Sequence, residues 1–216
     1  MFELAELLTR SSARHSHLCP RQVLGVRMAF SGASALQLEL PRQDKRLLVI
    51  TETDGCFLDG LEVAAGISPG RRTLRIEDYG KVAATFIDTK TGQALRLAPK
   101  PDVRQRAYEF VPDEPRHYFA QLKGYQVMPD EVLFSITPVT LTPTIEAIVS
   151  RPGVRVNCCV CGEEIINERE IIVQGQPYCR ACVGSGYYRS AEQDNLVQAS
   201  AELAALIQNA RILAGY

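Results

Sequence analysis

Cys158 and Cys161, then Cys179 and Cys182, form two Cys-x2-Cys pairs separated by seventeen residues. Two intervening residues let a tight turn present both sulfurs to one ion, and two such pairs at this spacing match a four-thiolate zinc site. Four protein ligands leave no vacancy for water or substrate. The expected role is therefore structural, with Zn2+ supplying folding free energy to a module too small to hold itself together. Cys159 reads as a spectator thiol beside the set. Between the pairs, Ile165-Ile166 and Ile171-Ile172-Val173 flank a polar turn, which predicts a single hairpin closing at Gly175 and returning the chain to the second pair.

A second group is less regular. His15, His17 and Cys19 lie in the run HSHLCP, and two of the chain's three histidines are here. Imidazole and thiolate are ordinary ligands for soft and borderline metals, and alternate positions of an extended segment share one side. Pro20 fits the first position of a helix, which makes Cys19 its N-cap. Cys56 falls near the start of another helix, in TETDGCFLDGLEVAAG. Helix N-termini favour thiolate over thiol, and both ends are expected to face one cleft. His17, Cys19 and Cys56 together would leave a coordination position open on a transition metal, with His15 beside them. Histidines that merely cap or pack are the competing reading. Glu52, Asp54 and Asp59 read as solvated turn and helix-start carboxylates, and His117 as a surface helix residue.

These groups need elements to place them. Phe2 to Arg10 predicts a short helix, and the segment from Pro20 a longer one with Val23, Val26 or Arg27, and Phe30 on its period. RLLVITET from Arg46 predicts a buried strand, and CFLDGLEVAAG a helix stopping at Gly66. TLRI, KVAATFIDT and QALRLAP follow as strands, with a hairpin connection from Asp88 to Gln93. Two helical pieces broken by Pro112 and Pro115 come next, then a strand from Glu131. The succession is not a regular βαβ alternation, so the expected fold class is α+β: a mainly antiparallel sheet with packed helices, followed by a small zinc module and a terminal helix. The expected domains are a core over 1–150, a four-cysteine finger over 151–190 and a C-terminal helix over 191–216. In that last helix Leu196, Ala199, Leu203, Leu206, Ala210 and Leu213 make a seam for docking or for a homodimer contact.

The chain has 216 residues, 46% of them hydrophobic, with a formal net charge of −1 and a sequence pI of about 6.3. It is long enough to bury a core, and nothing global marks a nucleic-acid polyanion as its partner. Within the finger, Glu163, Glu164, Glu168 and Glu170 outnumber Arg169, Arg180 and Arg189, which suits a protein partner better than phosphate. Tyr187 and Tyr188 would anchor such a contact or pack on the core. No run reaches membrane-spanning length and the opening residues fit no signal peptide, so a cytoplasmic protein without a membrane partner is expected. Seven cysteines, five of them between 158 and 182, point to metal ligation rather than a disulfide framework.

Taken in order, HSHLCP with LGVRMA, TETDGCFLDGLEVAAG, EDYGKVAATF and a terminal CxxC…CxxC module resemble the FmdE family of formylmethanofuran dehydrogenase proteins, in the form with a C-terminal treble-clef zinc finger. The resemblance covers nearly the whole chain apart from the last helix. It implies an α+β core with a cleft near the HxHxC and Cys56 elements, a separate finger and frequently a dimer. It matches His17, Cys19 and Cys56, with His15 beside them, to the family's candidate cleft site, and Asp59 and Lys81 to recurrent polar positions. Family members usually read HGHLCPG. Here Ser16 and Arg21 replace the glycines, which implies a narrower or more positive approach to the cleft.

The resulting expectation is a metal-binding accessory protein with a structural zinc finger and a core His/Cys cleft for a transition metal or metal-bearing cofactor, related to the FmdE component of molybdenum or tungsten formylmethanofuran dehydrogenase. Two other classes stand beside it. One is a thiol-dependent enzyme using Cys19 or Cys56 with His17 as base. The other is a regulator that uses the finger for protein or nucleic-acid contacts.

Overall fold

The computed structural model describes residues 3–188. These residues fall into two compact units that divide between Ile145 and Glu146. The expected helix over 191–216 lies outside the described residues.

The first unit carries α1 (Leu4–Ser12), α2 (Pro20–Ala35), β1 (Leu47–Thr51), α3 (Cys56–Ala65), β2 (Leu74–Ile76), β3 (Ala84–Asp88), β4 (Ala94–Pro99), α4 (Val103–Phe110), α5 (His117–Val127), α6 (Asp130–Leu133) and β5 (Phe134–Pro138). Its five strands pair in the order β2-β1-β3-β4-β5. Only β1 and β2 are parallel, joined through α3, and the remaining pairs are antiparallel. This is the α+β class with a mainly antiparallel sheet, as the element succession predicts.

The boundaries follow local chemistry. Pro20 opens α2 where its missing N–H costs nothing. Gly66 ends α3 in the left-handed region, with φ 71° and its N–H donated to the Glu62 carbonyl at 3.0 Å. The β3–β4 hairpin closes through Gly92 at φ 79°, whose N–H reaches the Asp88 carbonyl at 2.8 Å. One expectation is corrected. The segment from Glu131 does not begin as a strand, because the N–H groups of Val132 and Leu133 both bond the Pro129 carbonyl at 3.0 Å and close a helical turn before β5.

The core of the first unit lies where α2 and α3 meet the sheet, with Val23, Val26, Phe57, Leu61, Val49 and Phe86 all fully buried. Val26, not Arg27, is the inward residue of α2. Arg27 instead donates to the carbonyls of Tyr125, Gln126 and Met128 and to Asp130, which satisfies the open end of α5.

The boundary falls after the first residue of α7 (Ile145–Val149), and the second unit continues with β6 (Arg155–Asn157), β7 (Glu164–Ile166), β8 (Ile171–Val173) and β9 (Gln176–Tyr178). β6 pairs with β7 and β8 with β9. The single hairpin expected between Ile165-Ile166 and Ile171–Val173 is thus replaced by two. Asn167 and Glu168 both take left-handed φ, 60° and 55°, and Gly175 turns the second hairpin at φ 78°. These turns send β7 and β8 to different partners. None of the described helices is long and apolar enough to cross a membrane.

Candidate functional site

The four finger cysteines come together as their spacing predicts. Cys158 follows β6, Cys161 precedes β7, and Cys179 and Cys182 follow β9. Their sulfurs all lie within 4.8 Å of one another. Cys161 and Cys179 are 3.9 Å apart sulfur to sulfur; two thiolates on a tetrahedral zinc, at Zn–S of about 2.3 Å, would be separated by about 3.8 Å. The Cys179 N–H points at the Cys158 sulfur at 3.3 Å, and the Cys182 N–H at the Cys179 sulfur at 3.4 Å. N–H groups of Cys161 and Cys179 hold the Cys158 thiol down to about 6, whereas the adjacent Cys179 sulfur pushes Cys182 up to about 12. Four thiols this close cannot all lose their protons unless a cation neutralises them. Ile148, Cys158 and Ile165 are the only buried hydrophobics of this unit among the described residues, so a metal held by the four sulfurs would cross-link a region where apolar burial is sparse. Cys159 is exposed, away from the set that converges.

The second site is built by two helices. α2 and α3 cross at Gly25 and Gly60, where neither position has room for a Cβ. Cys19 is the N-cap of α2 and Cys56 the first residue of α3, so the crossing sets both thiols side by side. Gln22, fully buried, fixes this end: its Oε1 accepts from the Cys19 N–H at 2.8 Å and its Nε2 donates to the Ser11 carbonyl of α1 at 2.9 Å. Both cysteines are free thiols, Cys19 buried and Cys56 half-buried. Burial, then the neighbouring Cys19 sulfur, pushes the Cys56 thiol up. At Cys56, desolvation thus outweighs the backbone N–H group at the helix end, which by itself favours thiolate.

The thiols open on a cleft of about 620 Å³ lined by His17, Cys19, Cys56, Tyr118, Gln121 and Tyr125, with Arg21, Lys100 and Arg104. Tyr118 donates its hydroxyl to the Leu18 carbonyl at 3.1 Å, and burial together with the two sulfurs pushes its pKa up. Tyr125 is buried and burial raises it to about 12, so it stays protonated. His17 is on the cleft with its Nδ1 3.2 Å from the Ser16 hydroxyl. His15 is not on the cleft lining and turns to α3, its Nε2 2.5 Å from Asp59. Arg14 pairs with Asp59 at 3.6 Å and with Glu62. Among the described residues, only the finger brings three or more His, Cys, Asp or Glu ligand atoms within 4.8 Å of one another. His17, Cys19 and Cys56 share the cleft without that convergence.

Glu52 is corrected from a solvated carboxylate to a buried one. Its side chain receives Arg96 of β4 through Nε at 2.5 Å and through a second nitrogen at 2.7 Å. Its carbonyl accepts the N–H groups of Tyr79 and Lys81 at 3.0 and 3.1 Å, and its own N–H reaches the Ala83 carbonyl at 2.9 Å. Glu52 therefore fixes the loop that contributes Gly80 and Val82 to the cleft wall. Lys81, between them, is exposed. Sequence reasoning missed Arg96, which holds Glu52 from β4, and Lys100, Arg104, Tyr118, Gln121 and Tyr125, which reach the cleft from the β4–α4 connection, α4 and α5. No local motif marks them.

The fold and the two cysteine sites define a class: an α+β core with a two-thiol cleft, joined in sequence to a four-cysteine module able to hold a metal ion. The chain belongs to the FmdE family, described as molybdenum formylmethanofuran dehydrogenase operon, whose model matches residues 14–135. It is 34% identical over 98 residues to a probable S-adenosyl-L-methionine-binding protein of Archaeoglobus fulgidus, a match covering 44% of this chain and 27% of that one. The chain thus spans about a quarter of that relative. Its fold is similar to a solved tungsten formylmethanofuran dehydrogenase FmdE-like protein from Syntrophus aciditrophicus, with TM-score 0.56 and 18% identity, over 87% of this chain and 96% of that one.

Proposed function

We propose that the protein is a metal-binding accessory protein whose core cleft takes a transition metal or metal-bearing cofactor through Cys19 and Cys56, with His17 as the third ligand. The observation that carries this reading is the pair of free thiols set side by side at the ends of α2 and α3, inside a cleft of about 620 Å³. A bare ion needs far less room, and clefts of roughly 300–1,000 Å³ are the size that encloses small organic ligands. A metal carried in on a cofactor therefore suits the site better than a resident ion. His15, held on Asp59, orients the segment that presents His17 rather than serving as a ligand.

In the second unit, zinc is the metal that suits four thiolates at tetrahedral spacing, in a treble-clef finger with a structural role. The exposed Val160, Ile172 and Tyr187 of that unit suit a protein partner. The seam predicted over 191–216 suits a homodimer, and a cytoplasmic setting accords with cysteines used as metal ligands rather than as a disulfide framework. A thiol enzyme using Cys19 or Cys56 with His17 is the second reading; burial raises the Cys56 thiol's pKa, which disfavours that residue as the nucleophile.

Elemental analysis of the full chain beside the H17A/C19A/C56A triple variant, each after incubation with Zn2+ or Co2+ and gel filtration, tests the ligand set. The reading expects one equivalent fewer in the variant, with the finger's metal retained. Equal metal in the two proteins would sink a directly bound ion at His17, Cys19 and Cys56.

A further inference from the structure

We propose that the cleft recognises the oxyanion of its ligand, a phosphate or carboxylate group, through Arg21, Lys100 and Arg104. This rests on the reading that the cleft with Cys19 and Cys56 is the functional site, and it adds the class of ligand the site accepts.

Three observations carry it. Arg21, Lys100 and Arg104 all line the cleft, and its lining includes no Asp or Glu. In a chain with a formal charge of −1, three cations on one cleft without a carboxylate are a local departure from the mean. None of the three side chains has an ion pair among the described residues, although Arg14, Arg27, Arg42, Arg46, Arg96, Arg116 and Lys123 each have one. Their positions are also unfavourable for cations. Arg21 is the second residue of α2 and Arg104 the second of α4, and neither helix has an acidic residue in its first turn. A positive side chain there opposes the positive end of the macrodipole. Asp102, the N-cap of α4, makes no capping hydrogen bond and is not on the cleft lining.

An arrangement that repels itself in the free protein is relieved by an anion. The guanidinium forks of Arg21 and Arg104 suit a planar carboxylate or the edge of a phosphate, and Lys100 adds a mobile point charge. The same positive field draws anions to the mouth before contact. Cys19 and Cys56 then meet a ligand already held by its charge.

The charge selectivity of the cleft thiols reads this directly. Full-length protein is alkylated with iodoacetate or with iodoacetamide, and modification of Cys56 is followed by peptide mass spectrometry, with exposed Cys159 as the reference outside the cleft. The iodoacetate to iodoacetamide rate ratio is expected to be higher at Cys56 than at Cys159 by on the order of tenfold at low salt. It should collapse in R21Q/K100Q/R104Q and shrink at high salt. Inorganic pyrophosphate at constant ionic strength should slow alkylation of Cys56 in the natural protein and not in the variant. All three residues are at least partly exposed, so the substitutions leave the core intact, which each single variant checks separately. A ratio at Cys56 equal to that at Cys159, or unchanged by the triple variant, would overturn the assignment. Metal content of R21Q/K100Q/R104Q separates this from the ligand reading: unchanged metal with lost selectivity supports both, and retained selectivity with no cleft metal in any protein removes only the metal.

Discussion

Gly25 on α2 and Gly60 on α3 meet backbone to backbone. A Cβ at Gly25 would lie 2.2 Å from the Phe57 carbonyl oxygen, and one at Gly60 would lie 2.3 Å from that of Gln22. Because Cys19 stands six residues before Gly25 and Cys56 four before Gly60, this contact determines how near the two thiols come.

Alanine at either glycine should therefore separate the thiols as well as destabilise the core. Ala gains about 1 kcal/mol of helix propensity over Gly, but here it collides with a backbone atom that cannot rotate away. Overpacking costs of about 1–3 kcal/mol should win. Urea denaturation of G25A and G60A measures the loss, and a bifunctional thiol reagent bridging Cys19 and Cys56 should cross-link both variants less efficiently than the natural protein.

Removing Arg96 should cost more than removing the pair. R96M leaves the Glu52 carboxylate, 9% exposed, without its partner, for which about 3–5 kcal/mol is usual in a fully buried pair. Arg96 itself is 34% exposed, so water screens the pair and the lower end is expected. In a double-mutant cycle by urea denaturation, E52Q/R96M should be more stable than R96M alone.

Glu114 makes part of the acid response. Lys123 first and Arg116 second hold its carboxyl down to about 2, below the roughly 4.3 of an unfolded chain. A depressed acid contributes stability that is complete above the unfolded value and is lost as pH falls from about 4.3 through about 2. Thermal melts should place E114Q below the natural protein at pH 7, with the gap closing below pH 2.

Metal removal should act on the second unit alone. With only Ile148, Cys158 and Ile165 as buried hydrophobics there among the described residues, a strong chelator should release one metal per chain and collapse the amide signals of residues 154–184. Signals of the core strands β1, β3 and β4 should persist. Persistence of both sets after metal release would contradict a structural role for the ion.

The parts legible in sequence were those set by local chemistry. The CxxC spacing, Pro20 as the first residue of α2, and the Cys56 to Gly66 limits of α3 depend on neighbours within a few residues. The Glu52–Arg96 pair depends on strand register across 44 residues, and Lys100, Arg104 and Tyr118 are ordinary surface types until the fold brings α4 and α5 to the cleft. The finger's two hairpins hinge on left-handed Asn167 and Glu168, of which the second has no sequence signal. Placing His15 on Asp59 instead of the cleft reflects a competing ion pair between segments.

Cobalt binding to the full chain, with the finger already filled by zinc, tests the central claim most directly. Thiolate coordination at Cys19 and Cys56 should give sulfur-to-cobalt charge-transfer absorption that saturates at one equivalent in the natural protein and is absent from C19S/C56S. No such absorption in the natural protein, or the same absorption in the variant, would contradict a metal ion held directly by these two thiols.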